Sequence, residues 1–221
     1  MSAPDLSLNS SPQSAFSIPH CFIQAGGRSS RMGEDKAWLP LDGRPLIEHA
    51  LATAKTIADH TTIIISAANP QANRYRELAQ QRKAEVFDDL YSFRGPLGGI
   101  YTALTRCGPQ EAALILACDL PFVTTDFLQL LWQAHRASRA ELTVPLDQHH
   151  RVQMLAGIYA PSCRAEIARM LAWDELAADR VGLRVKTRLV AFSEYAHLPA
   201  ASRVLVNLNT PEQYQSMQTQ P

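Results

Sequence analysis

Residues 21–36 read Cys21-Phe22-Ile23-Gln24-Ala25-Gly26-Gly27-Arg28-Ser29-Ser30-Arg31-Met32-Gly33-Glu34-Asp35-Lys36. The first four form a short buried-strand candidate that runs straight into glycines. Glycine lacks Cβ, so the backbone at Gly26 and Gly27 can close on a ligand and φ can turn positive. Successive free amides make an anion cradle, and Arg28, Arg31 and Lys36 add three positive charges within nine residues. A polyphosphate fits that description. Neither a Walker A loop nor the dinucleotide fingerprint G-x-G-x-x-G occurs in the chain, so the stretch is a phosphate loop of another kind.

Downstream, Leu46, Ile47, Ala50, Leu51 and Ala54 share one face of a helix expected over 45–57, with Pro45 suited to its first position. Residues 61–65 are β-branched throughout, the signature of a strand covered on both faces. The pattern then predicts a helix over 74–82 and a strand over 84–87 ending at Asp88-Asp89. A helix over 95–104 opens on Gly95-Pro96-Leu97-Gly98-Gly99, and a strand over 112–118 stops at Asp119 and Pro121. Farther on it predicts a helix over 125–139 capped by Thr124 or Thr125, and strands over 141–145, 153–159, 188–192 and 204–207. Helical stretches follow Pro161 and Thr210. Trp38, Trp132 and Trp173 read as packing anchors. Strands alternating with helices define an α/β chain with a mostly parallel, Rossmann-like sheet and helices on both faces.

At 221 residues the chain has room for one such domain. Hydrophobic residues at 46% and charged residues at 19% exclude a disordered or fibrous chain. Lys plus Arg and Asp plus Glu both number 21, so the balance argues against bulk nucleic-acid binding. No apolar run reaches the roughly 18 residues a membrane span needs, so no membrane partner is expected. The four cysteines, Cys21, Cys107, Cys118 and Cys163, make no CxxC pair, which argues against a zinc cage or disulfide framework. Residues 1–18, rich in Ser and Pro, read as a loose tail without a signal-peptide pattern, and 19–221 as the domain. A cytoplasmic protein is expected.

A sheet of this kind binds ligands beyond the carboxyl ends of its strands. Three expected strand ends carry useful chemistry: Gln24-Ala25-Gly26-Gly27, Asp88 and Asp119. Their convergence is a functional argument from topology alone.

The glycine-rich stretch resembles the L-A-G-G-x-S-x-R-M-G-x-D-K signature of the molybdenum cofactor guanylyltransferases, the MobA family of nucleotidyltransferases. Each fixed position agrees except the first, where Gln24 replaces leucine. Asp88 before Gly95-Pro96-Leu97-Gly98-Gly99 resembles the second family motif, Cys118-Asp119-Leu120-Pro121 its C-D-x-P, and Asn207-Leu208-Asn209-Thr210-Pro211-Glu212 its N-x-N-T-P-E. Gln153-Met154-Leu155 departs from the proline-leucine pair that is frequent in the family, in the half that would hold the pterin.

The resemblance implies a single-domain nucleotidyltransferase that joins the GMP moiety of GTP to the terminal phosphate of molybdopterin or Mo-molybdopterin, releasing pyrophosphate. It implies Lys36 and Asp119 as catalytic residues, with Asp119 the ligand of Mg2+. Gln24, Ala25, Gly26, Gly27, Lys36, Asp88 and Asp119 would bind GTP, with Ser66 a further base-side candidate. Proteins that deliver molybdopterin or mature molybdoenzymes are implied partners. The sister cytidylyltransferases read Ala-Ala-Gly where Ala25-Gly26-Gly27 stands. They, other small-molecule nucleotidyltransferases and a non-catalytic nucleotide-binding module remain the alternatives.

Overall fold

The computed structural model describes residues 17–25 and 35–208. Strand β1 (Ile18–Gln24) leads to a 3-10 turn (Lys36–Trp38) and a small hairpin of β2 (Pro40–Leu41) and β3 (Arg44–Pro45). Asp42 and Gly43 both take positive φ at its tip (49° and 76°), as a two-residue Asp-Gly turn requires. Then follow α1 (Leu46–Ile57), β4 (Ala58–Ser66), α2 (Ala72–Gln81), β5 (Glu85–Asp89), α3 (Gly95–Leu104), β6 (Ala113–Ala117) and α4 (Thr125–Ser138). The last part contains β7 (Leu142–Pro145), β8 (Ala156–Tyr159), α5 (Cys163–Ala172), a second 3-10 segment (Ala178–Leu183), β9 (Thr187–Val190) and α6 (Phe192–Tyr195).

Seven strands form one sheet in the order β5-β4-β1-β6-β8-β7-β9. Only β8 runs against its neighbours, β6 and β7; the other pairings are parallel. The sheet is thus mostly parallel, as the alternation of elements predicts. Side-chain alternation along the strands divides the core in two. Cys21, Ile23, Ile63, Ile65, Leu114 and Leu116 face α1, α2 and α4. Phe22, Ile64, Ala113 and Ile115 face α3 and α5. From β1 the chain builds outward through β4 to β5 and then returns to place β6 on the other side of β1. The β1/β6 boundary is therefore a topological switch point, where such sheets open a ligand crevice.

The expected elements are present with shifted ends, and several differ in kind. Pro45 is the N-cap of α1 and a β3 residue, not the first helical residue. Ile18, assigned to the tail, is fully buried in β1 and pairs with Ala58. Residues 204–207 are not a strand: Val204 and Leu205 bury their side chains at the end of a turn and Leu208 just beyond it, so the apolar run packs without pairing. The expected strand over 188–192 ends at Val190, and Phe192 begins α6, where the Glu194 side chain caps the backbone N–H of Ala191 at 2.8 Å. Of 153–159 only Ala156–Tyr159 pairs as a strand. Trp173 is 74% exposed and anchors nothing, whereas Trp38 and Trp132 pack against the core. The helix expected after Thr210 and the remaining tail, 1–16, lie outside the described residues.

Candidate active site

The switch point is built by backbone pairing. The Cys118 N–H donates to Gln24 O (3.1 Å) and the Ala25 N–H to Ile64 O (2.9 Å), so β1, β4 and β6 finish at one edge. Register then brings Ser66 beside Asp89 on β5. Leu208 N–H donates to Asp119 O (3.1 Å), tying the C-terminal segment to the same edge.

Lys36 and Asp119 meet there. Lys36 Nζ lies 2.6 Å from Asp119 Oδ2, and the two side chains are only 17% and 23% exposed. Among the described residues no group of three His, Cys, Asp or Glu could hold a metal ion. Asp119 nevertheless offers hard carboxylate oxygens at a strand mouth, which suits a divalent cation that completes its shell with phosphate and water. Burial, then the Asp119 charge, pushes the Cys118 thiol far above the usual range, which disfavours the thiolate.

Gln24 takes the side of α3. Its Nε2 donates to Pro96 O at 3.0 Å, and a Cβ on Gly99 would come within 2.7 Å of the amide. At Gly98 a Cβ would stand 2.6 Å from the Tyr91 carbonyl. These two glycines let the head of α3 approach the β1 and β5 ends. Ala25 is buried and belongs to the strand ladder rather than to an open cradle. Gly26 and Gly27 lie outside the described residues.

Strand alternation separates the two aspartates that the sequence leaves together. Asp88 points to the α2 side, half exposed, with Arg76 at 3.6 Å. Asp89 faces α3: its Oδ1 accepts from Thr102 Oγ1 (2.8 Å) and from the Tyr91 N–H (3.0 Å). It is Asp89, not Asp88, that shares a face with Gln24 and Ser66. The parity of β5 against β4, which decides this, is a long-range register invisible in the local sequence. Ser66 Oγ is buried without a hydrogen-bond partner, an exception that calls for a reason in a folded protein.

Two features go beyond what the sequence shows. Asp35 is a hydrogen-bond hub, accepting from Ala37 N (3.2 Å), Asn69 Nδ2 (3.1 Å) and Tyr75 Oη (2.8 Å). A cavity of about 400 Å3 also opens beyond the Asp119 edge, with Asp147, His149, Arg151, Gln153, Ser202 and Asn207 in its wall. The Asp147 carboxylate holds this loop, accepting from His149 N (2.8 Å), Arg151 N (2.9 Å) and Arg151 Nε (2.7 Å). These hydrogen bonds outweigh the effect of burial and keep its carboxyl below the ordinary range.

Residues 21–186 match the family described as a MobA-like NTP transferase domain. A probable molybdenum cofactor guanylyltransferase of Carboxydothermus hydrogenoformans is 31% identical over 195 residues, covering 88% of this chain and 92% of the relative. The molybdenum cofactor guanylyltransferase of Shewanella amazonensis is 32% identical over 197 residues, covering 88% and 93%. Among solved structures, molybdopterin-guanine dinucleotide biosynthesis protein A of Archaeoglobus fulgidus superposes with a TM-score of 0.75 at 21% identity, over 89% of this chain and 95% of that one. That last likeness concerns the fold, but the family match and the near-full-length relatives reach the residues themselves, and the chain belongs to the MobA-like NTP transferase family.

Proposed function

We propose that this enzyme transfers GMP from GTP to the terminal phosphate of molybdopterin, forming the guanine dinucleotide and pyrophosphate. The observation that carries the reading is the meeting of Lys36 and Asp119 at the β1/β6 switch point, in a chain whose relatives are named molybdenum cofactor guanylyltransferases. In the reaction the acceptor phosphate attacks the α-phosphorus and the bond to pyrophosphate breaks. Two anions must approach while negative charge grows on the leaving group, so fixed cations and N–H donors are the main catalytic means. Lys36 neutralises phosphate charge. When bound at Asp119, a divalent cation, Mg2+ in this reading, supplies further charge neutralisation.

In this reading Gln24, the Ala25 backbone, Gly26 and Gly27 bind the nucleotide. The orphaned Ser66 hydroxyl supports a nucleotide on the α3 face, where it regains a partner, and Asp89 takes the carboxylate role first expected of Asp88. The cavity beyond Asp119 supports an acceptor site in the C-terminal half. The chain from Ile18, the first residue of β1, onward acts as one domain in this reading. Three of the four free thiols are buried, which goes with a reducing, cytoplasmic setting. Proteins that hand over molybdopterin or receive the finished cofactor belong to the same reading.

The test is to incubate the purified protein with each NTP, Mg2+ and molybdopterin, and to identify the dinucleotide and pyrophosphate. A guanine dinucleotide is expected. Cytosine dinucleotide alone would reassign the base, and absence of pyrophosphate with every NTP would leave a binding module.

A further inference from the structure

The root of the glycine-rich loop is held by a carboxylate that touches no expected substrate. Asp35 Oδ2 accepts from both Tyr75 Oη and Asn69 Nδ2, at 2.8 and 3.1 Å, and its Oδ1 accepts from the Ala37 N–H at 3.2 Å. Its carbonyl accepts from the Trp38 N–H at 3.0 Å. Asp35 is thus the N-cap of the 3-10 turn whose first residue is Lys36. The donors that grip it are themselves fixed. Tyr75 is fully buried on α2, and Asn69 Oδ1 accepts from Gln71 N (2.8 Å) at the start of that helix. The Trp38 ring packs on Tyr75 at 4.8 Å, with the Arg74 guanidinium over it at 3.9 Å.

We propose that Asp35 is a positioning residue for nucleotidyl transfer: clamped by Tyr75 and Asn69, it fixes the backbone from which Lys36 reaches Asp119. This rests on the phosphate role of Lys36 argued above. A lysine side chain carries about 2 kcal/mol of rotamer entropy, and a lysine on a loose loop would spend most of its time elsewhere. Capping the turn sets the Cα–Cβ direction of Lys36, so that its stem leads to the β6 mouth. Shape also favours this role over plain stability. The clamp ties Asp35 to Asn69 in the β4–α2 connection and to Tyr75 on α2, so Lys36 and the sheet edge hold one spacing, on which in-line chemistry depends steeply.

A two-background cycle tests this. Asp35→Ala and, as the variant that keeps the buried ring, Tyr75→Phe are made in the native protein and in Lys36→Ala. GTP-dependent pyrophosphate release and thermal melting are measured for each. The expected result is a loss of at least about tenfold in kcat/KM for Asp35→Ala and a smaller loss for Tyr75→Phe, with both shrinking below about twofold once Lys36 is gone. Equal losses in the two backgrounds, or no loss in the native one, would overturn the proposal. If Asp35→Ala does not fold, the Tyr75→Phe cycle decides alone. If the native protein releases no pyrophosphate from any NTP, the functional reading has failed instead. The same cycle is then read on Mg–GTP affinity by calorimetry, where coupling through Lys36 supports the clamp and additivity removes it.

Discussion

The Lys36 ammonium lies 2.6 Å from the Asp119 carboxylate although 83 residues separate them in the chain. Each is held from behind. Lys36 leaves a turn capped by Asp35, and the Asp119 carbonyl accepts from Leu208 N–H at 3.1 Å. Charges set in advance cost no reorganisation when the transition state forms, which is why a fixed pair of this kind is catalytically useful.

Replacing Asp119 with Ala removes the carboxylate that the proposed mechanism gives to the metal, while leaving its backbone hydrogen bond. Turnover should fall about 10³-fold or more, roughly 4 kcal/mol of transition-state stabilisation, with the fold retained. Turnover at saturating Mg2+, beside a melting curve, checks it; native turnover would remove Asp119 from the mechanism.

Lys36→Ala should weaken GTP binding and slow the chemical step together, because the charge that Lys36 meets grows toward the transition state. Separate measurement of GTP affinity and single-turnover rate distinguishes this from simple binding. Changes within about twofold in both, some 0.4 kcal/mol, would make Lys36 a bystander.

Ser66→Ala separates stability from binding. The native hydroxyl is buried without a partner, so its removal should leave the melting temperature unchanged or raise it. GTP affinity should nonetheless drop severalfold. A lower melting temperature with unchanged affinity would show that the hydroxyl serves the fold.

Guanine carries N–H donors at N1 and N2, whereas cytosine presents an acceptor at N3. A pocket built for the donors leaves its acceptors unpaired with the wrong base, at about 1–3 kcal/mol per group. GTP should therefore exceed CTP and ATP by at least about tenfold in kcat/KM. Gly26→Ala should narrow the gap to CTP, since a methyl group takes volume that a purine needs. Competition assays with the three nucleotides decide the matter, and equal use of CTP would leave only the nucleotidyltransferase class.

Stability should decline as pH falls below neutrality. Burial lowers the pKa of His135, which sits 3.0 Å from Thr143 Oγ1 and stacks on Trp132. Burial and the nearby His60 do the same for His20. The unfolded chain then takes up these protons first, so the contribution is complete above the ordinary histidine value of 6.5 and is lost as pH drops through it toward the lower folded values. Denaturant midpoints between about pH 7.5 and 5 should fall, and His135→Gln should flatten the slope. A midpoint that rises on acidification would contradict the sign.

Local sequence determined the alternation of strands and helices here, because each signal is written within a few residues. The β-branched run at 61–65 can only be comfortable between two covered faces, and it lies within β4. Thr124 caps α4, accepting from Phe127 N, and β1 and β6 end at Gln24 and Ala117, shortly before Gly26 and Pro121. Tertiary structure decided what depends on register and on distant partners. Parity between β4 and β5 turned Asp88 toward α2 and Asp89 toward Ser66, a difference of one residue that reverses the face. Asp35 acquired its role from Asn69 and Tyr75, 34 and 40 residues away. The apolar run at 204–207 became a packed turn because its burial against the finished core outweighed any preference for an extended strand.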